Sequence, residues 1–495
     1  MNNNPLLSGL EFTKETGSFS LVIFGVTGDL TRRKLIPALF NLFIEGRINQ
    51  FKIIGFARRT WTDETFRDEG RKMLSGGKFD SISSDKKEAF LSRLEYISSN
   101  FEDPKGYKEL LNKINGFGGT LYYLSTPPTS YEAIIENLGK NGLANPDTAY
   151  ARIIIEKPFG RDLATAKKLN THLSTYFEEK QIYRIDHYLG KETVQNLLIF
   201  RFGNSIFEPL WNNKHIDHIQ ITVSEGIGVG TRANYFEKSG ILRDMVQNHI
   251  FQLLTLIAME PPADLNPDSI RDEKVKVLRS LKPITSKEVG QYTRRAQYNR
   301  GIVEGEEVKS YKEEEGVDPK SLTETYVALK VFIENWRWAG VPIYIRTGKR
   351  LSRKLTEISI HFKNPPHQIF PNSHPSLNAN TLILHIQPEE GITFNINAKI
   401  PGLSTSMRRV NMDFAYGNAF GEQTPEAYQR LLLDAITGDP SLYTRRDEIE
   451  TSWSYITRII NGWINENPPM YSYRSGSAGP EESNDLMEKG KWRRL

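Results

Sequence analysis

No cysteine occurs among the 495 residues. Its absence excludes disulfides, thiol nucleophiles and thiolate zinc sites, and it suits a reducing cytosol. Long apolar runs are missing too, since none approaches the ~20 residues that a membrane-spanning helix needs. The opening residues, Met1-Asn2-Asn3-Asn4-Pro5, carry neither a basic stretch nor an apolar core, so no secretory signal is expected. Charge of one sign is not in excess either. Lysine and arginine total 64 against 60 acidic residues, a net +4, which is too little for a nucleic-acid surface. Any anion site must therefore be built locally. Internal repeats and clusters with metal-ligand spacing are also absent. The expectation is a cytoplasmic protein that binds no membrane, nucleic acid or metal, with a length that argues for two or more domains.

One stretch concentrates what chemistry there is: Arg184-Ile185-Asp186-His187-Tyr188-Leu189-Gly190-Lys191-Glu192. His187, Tyr188 and Lys191 can all donate to phosphate oxygens, whereas ionised Asp186 can only accept. A carboxylate among phosphate ligands would repel the anion, so Asp186 is expected to face something else, such as a second histidine.

Upstream, Ser18 to Phe24 reads as a buried strand and runs directly into Gly25-Val26-Thr27-Gly28-Asp29-Leu30. A helical pattern comes next, with Leu35, Leu39, Leu42 and Phe43 on one face and Gly46 as its stop. Strand, glycine turn and helix form the layout in which backbone N–H groups meet a pyrophosphate. The third glycine of the usual fingerprint is missing. Pro37 places the start of regular helix near Lys34. A second buried run, Phe51 to Ala57, ends in Arg58-Arg59. An acid at such a position holds a ribose, while arginine accommodates a 2′-phosphate. The pair therefore favours NADP over NAD, without excluding NAD.

Asp63 to Asn115 reads as charged and mostly helical. Thr120 to Leu124 is a strand ending in Ser125-Thr126-Pro127-Pro128, and Arg152 to Ile155 is another ending in Glu156-Lys157-Pro158-Phe159-Gly160. Polar residues collected at strand ends mark the ligand edge of an open α/β sheet, which makes Lys157 a candidate near the nicotinamide. In the second half, Gly240 to Glu260 reads as a helix halted by Pro261-Pro262, with His249 on or beside its buried stripe. Ile219, Ile221 and Val223 alternate with polar residues, as do Ile358, Ile360 and Phe362, and Ile392, Phe394 and Ile396. Such strands suit an antiparallel sheet with one face covered. Gln291 to Ser321 reads as a polar surface excursion, and the tail after Tyr471 as irregular.

Taken in order, these motifs resemble the glucose-6-phosphate dehydrogenases. The likeness rests on Gly25 to Leu30 with Arg33-Lys34, on Glu156 to Gly160, and on Arg184 to Glu192. It continues through Asp244-Met245-Val246-Gln247-Asn248-His249, Val341 to Lys349, and Glu426-Ala427-Tyr428 with Leu431 to Asp434. The resemblance implies an α/β Rossmann-type N-terminal domain over 1–186. An α+β C-terminal domain over 187–495, with a large, mainly antiparallel sheet, is implied for substrate binding and oligomerisation. It further implies oxidation of β-D-glucose 6-phosphate at C1, the first step of the oxidative pentose phosphate pathway, with NADP as cofactor.

By the same resemblance His249 is the general base and Asp186 its carboxylate partner. Substrate contacts fall on His187, Tyr188, Lys191, Glu225, Asp244, Lys349 and Lys354. Cofactor contacts fall on Gly25, Thr27, Gly28, Asp29, Leu30, Arg58 and Lys157. A homodimer or homotetramer formed through the C-terminal sheet is also implied. Some relatives hold a second, structural NADP; Leu355 and Ser359 stand where those relatives use Lys and Arg, so none is expected here. The assignment carries one tension. Asp244 and His249 are five residues apart, about 140° round an ideal α-helix, so both face one ligand only if the helix is distorted. Two rival readings remain: a dehydrogenase of an unphosphorylated sugar, and a non-catalytic sugar-phosphate or dinucleotide-binding regulator.

Overall fold

The computed structural model describes residues 16–145, 150–303, 305–367, 379–402, 406–416, 426–488 and 490–495; Met1–Pro5 lies outside the described residues. Contacts divide the chain into two compact units. The first comprises Met1–Lys191, Pro262–Asp272 and Pro425–Glu450, and the second Glu192–Pro261, Glu273–Thr424 and Thr451–Leu495. The division expected at 186/187 thus falls at 191/192, and two later segments return to the first unit. Apolar burial explains the return: Leu431, Leu432, Ala435, Ile436 and Tyr443 share that unit's core with Leu39, Phe40 and Ile53.

The first unit holds six parallel strands: β1 (Phe19–Phe24), β2 (Phe51–Ala57), β3 (Leu94–Ser98), β4 (Gly119–Leu124), β5 (Tyr150–Ile155) and β6 (Ile182–Ile185). Their order across the sheet is 3-2-1-4-5-6, with Tyr443–Thr444 added antiparallel beside β6. This is the doubly wound dinucleotide-binding order, and the chain reverses direction across the sheet between β1 and β4. β3 lies inside the stretch that reads as helical from sequence. Glu95 at its second position disguises it, and that carboxylate is held by Lys52 at 2.9 Å and Lys113 at 3.0 Å.

Regular α-helix after β1 runs Ile36–Ile44, slightly later than Lys34, because Thr31–Leu35 is wound as π-helix. The Ile36 N–H donates to the Thr31 carbonyl, five residues back. In α winding the Pro37 ring would press on the Arg33 carbonyl; the wider turn avoids this.

A nine-stranded sheet organises the second unit. Across it lie Met407–Ala415, Gly391–Lys399, Thr381–Gln387, Leu355–Phe362, Ile216–Ser224, Ile343–Gly348, Tyr326–Val331, Thr293–Asn299 and Met470–Arg474. Neighbours are antiparallel except Ile216–Ser224 with Ile343–Gly348 and Thr293–Asn299 with Met470–Arg474. Ile219, Ile221, Val223, Ile358 and Ile360 are fully buried as their alternation predicts, while Ile392, Phe394 and Ile396 are only half-buried. The opposite face is not left to solvent at its centre. Gln220, Thr222 and Glu357 are buried there beneath the chain's own C-terminus. The Arg493 N–H donates to Gln220 Oε1 at 2.9 Å, and the Arg493 guanidinium pairs with Glu357 at 2.8 Å.

Two further segments differ from their sequence reading. Thr293–Asn299 is a sheet strand rather than part of a surface excursion. Its buried Gln297 is satisfied internally, donating to the Ser321 and Thr323 carbonyls at 3.0 and 2.9 Å. The tail continues as a strand to Arg474, where buried Tyr473 donates to the Lys349 carbonyl at 2.6 Å. No helix among the described residues is long and apolar enough to cross a membrane.

Candidate active site

In the first unit, the expected cofactor residues gather at the carboxyl ends of the parallel strands. Gly25 follows β1 with φ +77°, and a Cβ there would lie 2.4 Å from the Ser125 carbonyl oxygen after β4. Only glycine therefore allows the β1 and β4 ends to close at the switch point. The Gly28 N–H donates to the Gly25 carbonyl at 3.0 Å, and the first helical bond runs from Arg32 N–H to the Gly28 carbonyl. Thr27, Gly28 and Leu30 are half-buried in this turn. Asp29 is exposed and pairs with Arg33 at 2.8 Å. A tight turn opening a helix at the reversal point is the cradle a pyrophosphate needs, so these residues fit a dinucleotide.

At the end of β2, Arg58 and Arg59 are exposed, and the Arg59 guanidinium stands 5.7 Å from the Trp61 ring centroid. Their backbone is held from below, where Tyr96 Oη donates to the Arg59 carbonyl at 2.8 Å. Lys157, half-buried, lies at the end of β5.

The glycine turn gives a direct expectation. For Gly25→Ala, the methyl would strike a backbone oxygen from a strained φ, costing on the order of 1–3 kcal/mol. NADPH affinity, read by nucleotide fluorescence, should fall at least about tenfold. Unchanged affinity with an unchanged melting temperature would remove the turn from cofactor binding.

The loop after β6 carries Asp186, His187, Tyr188 and Lys191 close together on one short turn. Asp186 is buried, and its Oδ1 accepts the Tyr188 N–H at 3.0 Å, fixing the loop's start. The Lys191 ammonium sits 4.4 Å from the Tyr188 ring centroid, and the His187 ring meets that ring edge-on at 5.1 Å. Imidazole, phenol and ammonium are thus clustered as donors. Gly190 permits the fold of this loop, since a Cβ would lie 2.8 Å from the Ala427 carbonyl.

Glu156, at the polar end of β5, is a hub of this unit. It accepts from Tyr123 Oη at 2.5 Å and Tyr428 Oη at 3.1 Å, and burial pushes its carboxyl above the ordinary range. Tyr428 lies far along the chain, so no local signal could have paired them.

In the second unit, the segment Leu242–Ile250 is π-helix and Phe251–Ala258 continues it as α-helix. The Phe251 N–H donates to the Val246 carbonyl, five residues back. A turn that closes at five residues brings Asp244 and His249 onto one side, which removes the tension of the ideal α spacing. Asp244 is 6% exposed and His249 is fully buried. Tyr235 stands near Asp244, its phenol pushed up to about 12 by burial and by the Asp244 charge; the sequence gives no sign of it. Strand Ile343–Gly348 packs beside the π-helix. Just beyond that strand, Lys349 pairs with Glu225 at 2.5 Å. Lys354 is exposed immediately before strand Leu355–Phe362.

A reversed 3-2-1-4-5-6 sheet with a glycine turn at its reversal point defines the class: a Rossmann-type dinucleotide-binding protein. Residues 22–196 match the family model described as glucose-6-phosphate dehydrogenase, NAD binding domain, and residues 198–493 match its C-terminal domain. The chain belongs to the glucose-6-phosphate dehydrogenase family. It is 47% identical over 483 residues to the glucose-6-phosphate 1-dehydrogenase of Borreliella burgdorferi, covering 97% of this chain and 99% of that protein. Identity to the enzyme of the same name from Aggregatibacter actinomycetemcomitans is also 47%, over 487 residues, with 96% and 97% covered. A solved structure titled glucose-6-phosphate dehydrogenase in complex with its substrate glucose-6-phosphate superposes with TM-score 0.89 at 35% identity, covering 98% of this chain and 99% of that one.

Proposed function

We infer that this chain oxidises β-D-glucose 6-phosphate at C1 to 6-phospho-D-glucono-1,5-lactone, using NADP. The observation that carries this reading is family membership across both units, at 47% identity to relatives named for the reaction. When bound, the nicotinamide supplies the acceptor for the hydride that leaves C1. The chain must then remove the O1 proton while the C1–O bond becomes a carbonyl.

His249 takes that proton. A neutral imidazole with a reference pKa of ~6.5 is suited to it near neutral pH. In this reading Asp186 accepts from the other ring nitrogen, holding the tautomer and stabilising the imidazolium. His187, Tyr188 and Lys191 hold the 6-phosphate, and their clustering as three donors in one loop supports the role. Glu225 and Asp244 accept from sugar hydroxyls, while Lys349 and Lys354 add positive charge. Gly25, Thr27, Gly28, Asp29 and Leu30 cradle the pyrophosphate, Arg58 meets the 2′-phosphate, and Lys157 stands at the nicotinamide end. We further propose a cytoplasmic homodimer or homotetramer associating through the sheet of the second unit.

The test is formation of reduced nicotinamide from NADP with glucose 6-phosphate, against the same concentration of glucose. Turnover with the phosphosugar and little with glucose is expected. Equal rates would point to an unphosphorylated sugar, and no turnover with either to a regulator. Arg58→Ala should raise KM for NADP on the order of tenfold, the loss of one charge-assisted contact, and leave KM for NAD unchanged. Equal effects on both nucleotides would contradict the 2′-phosphate contact.

A further inference from the structure

Glu324 is a buried carboxylate to which the reaction gives no part. It belongs to the second unit, lies just before strand Tyr326–Val331, and is 6% exposed. Its Oε1 accepts the Leu242 N–H at 3.0 Å, and its main-chain carbonyl accepts the Ile241 N–H at 3.0 Å. These N–H groups stand at the start of the π-wound segment, where a helix has no carbonyl of its own to offer. Gly240 makes the approach possible. A Cβ there would lie 2.4 Å from Glu324 Oε1, and its φ of +67° lets the chain turn sharply into the helix. Burial pushes the Glu324 carboxyl above its ordinary range, while the helix N-terminus favours an anion beside it.

A nine-residue π stretch is long for this kind of winding, which mostly occurs as single turns. Its phase decides the chemistry. If the segment relaxed to α winding, Asp244 and His249 would stand about 140° apart. An anchor that takes both leading N–H groups sets where the winding begins.

We propose that Glu324 is a positioning residue for the base: its carboxylate and carbonyl lock the start of the π-helix and so hold Asp244 and His249 on one face. This rests on the reading of His249 as the proton acceptor. The test compares Glu324→Ala, Glu324→Gln and His249→Asn in the full-length protein. Steady-state kinetics, NADPH affinity and hydrogen exchange of the 242–250 segment are measured on each.

Glu324→Ala should lower kcat/KM for glucose 6-phosphate about 30- to 100-fold, the scale of a small misplacement of reacting groups. It should also speed exchange in 242–250 and leave NADPH affinity unchanged. Glu324→Gln keeps an acceptor oxygen and should stay within about threefold of wild type, since the hydrogen bond rather than the charge sets the phase. Wild-type kinetics and exchange in Glu324→Ala would overturn the proposal. So would Glu324→Gln being as impaired as Glu324→Ala. If Glu324→Ala does not fold, Glu324→Leu, which fills the space without an acceptor, is read in the same way. Near-wild-type activity in His249→Asn would sink the base assignment alone, leaving the exchange result to judge the anchor.

Discussion

Replacing His249 by Asn lowers kcat on the order of 10²–10⁴-fold, the range over which a positioned general base contributes. Asparagine is close to imidazole in polarity and reach, but its amide cannot take up a proton near neutral pH. His249 is fully buried on the π-wound segment Leu242–Ile250, so a smaller, nonpolar replacement would leave a void and confuse stability with chemistry. The amide limits that effect. KM for glucose 6-phosphate should change far less than kcat, because the missing interaction forms as the O1 proton leaves. Steady-state kinetics at saturating NADP, with a melting curve as control, decide the matter. A kcat within about threefold of wild type would remove His249 from the role.

Lys191→Ala should act on the other parameter. A charge-assisted hydrogen bond to phosphate is worth roughly 1.5–3 kcal/mol, so KM for glucose 6-phosphate should rise about 10- to 150-fold. Truncation also removes the ammonium that stands 4.4 Å from the buried Tyr188 ring centroid, a contact worth on the order of 0.5–2 kcal/mol. Glucose separates the two contributions. Its weak turnover should be nearly unaffected if Lys191 serves the phosphate, and should fall in parallel if the loop itself has collapsed. An unchanged KM for the phosphosugar would show that the 6-phosphate lies elsewhere.

Much of the first unit was legible because its strands are buried runs. Phe19–Phe24 and Phe51–Ala57 stand out by apolarity, and the Gly25–Leu30 turn by the helical pattern directly after it. β3 was not legible: Glu95 interrupts its pattern, and the lysines that neutralise it come from β2 and a distant helix. Thr293–Asn299 was hidden in the same way, since the carbonyls that satisfy its buried Gln297 belong to a later segment, Ser321 and Thr323. Nor could a linear reading foresee that 262–272 and 425–450 return to the first unit.

Within the candidate site, Asp186 to Lys191 and His249 were visible as residues with chemistry in suggestive places. Side-chain chemistry alone pointed His187, Tyr188 and Lys191 at a phosphate and Asp186 at a second histidine; the base role of His249 came from the resemblance. The π winding that aligns Asp244 with His249 leaves no compositional mark, because it depends on Gly240 and on a carboxylate more than eighty residues away in the chain. Glu156 and Tyr428 were visible as motif residues, but their pairing was not, being made only by the fold.

In the proposed reaction His249 accepts the proton released as glucose 6-phosphate is oxidised. The pH dependence of kcat/KM, measured side by side for wild type and His249→Asn, tests it most directly. Wild-type activity should fall on the acid side as one group is protonated. The residual activity of the variant should lack that limb. An acid limb of the same position and depth in His249→Asn would assign the proton to another group.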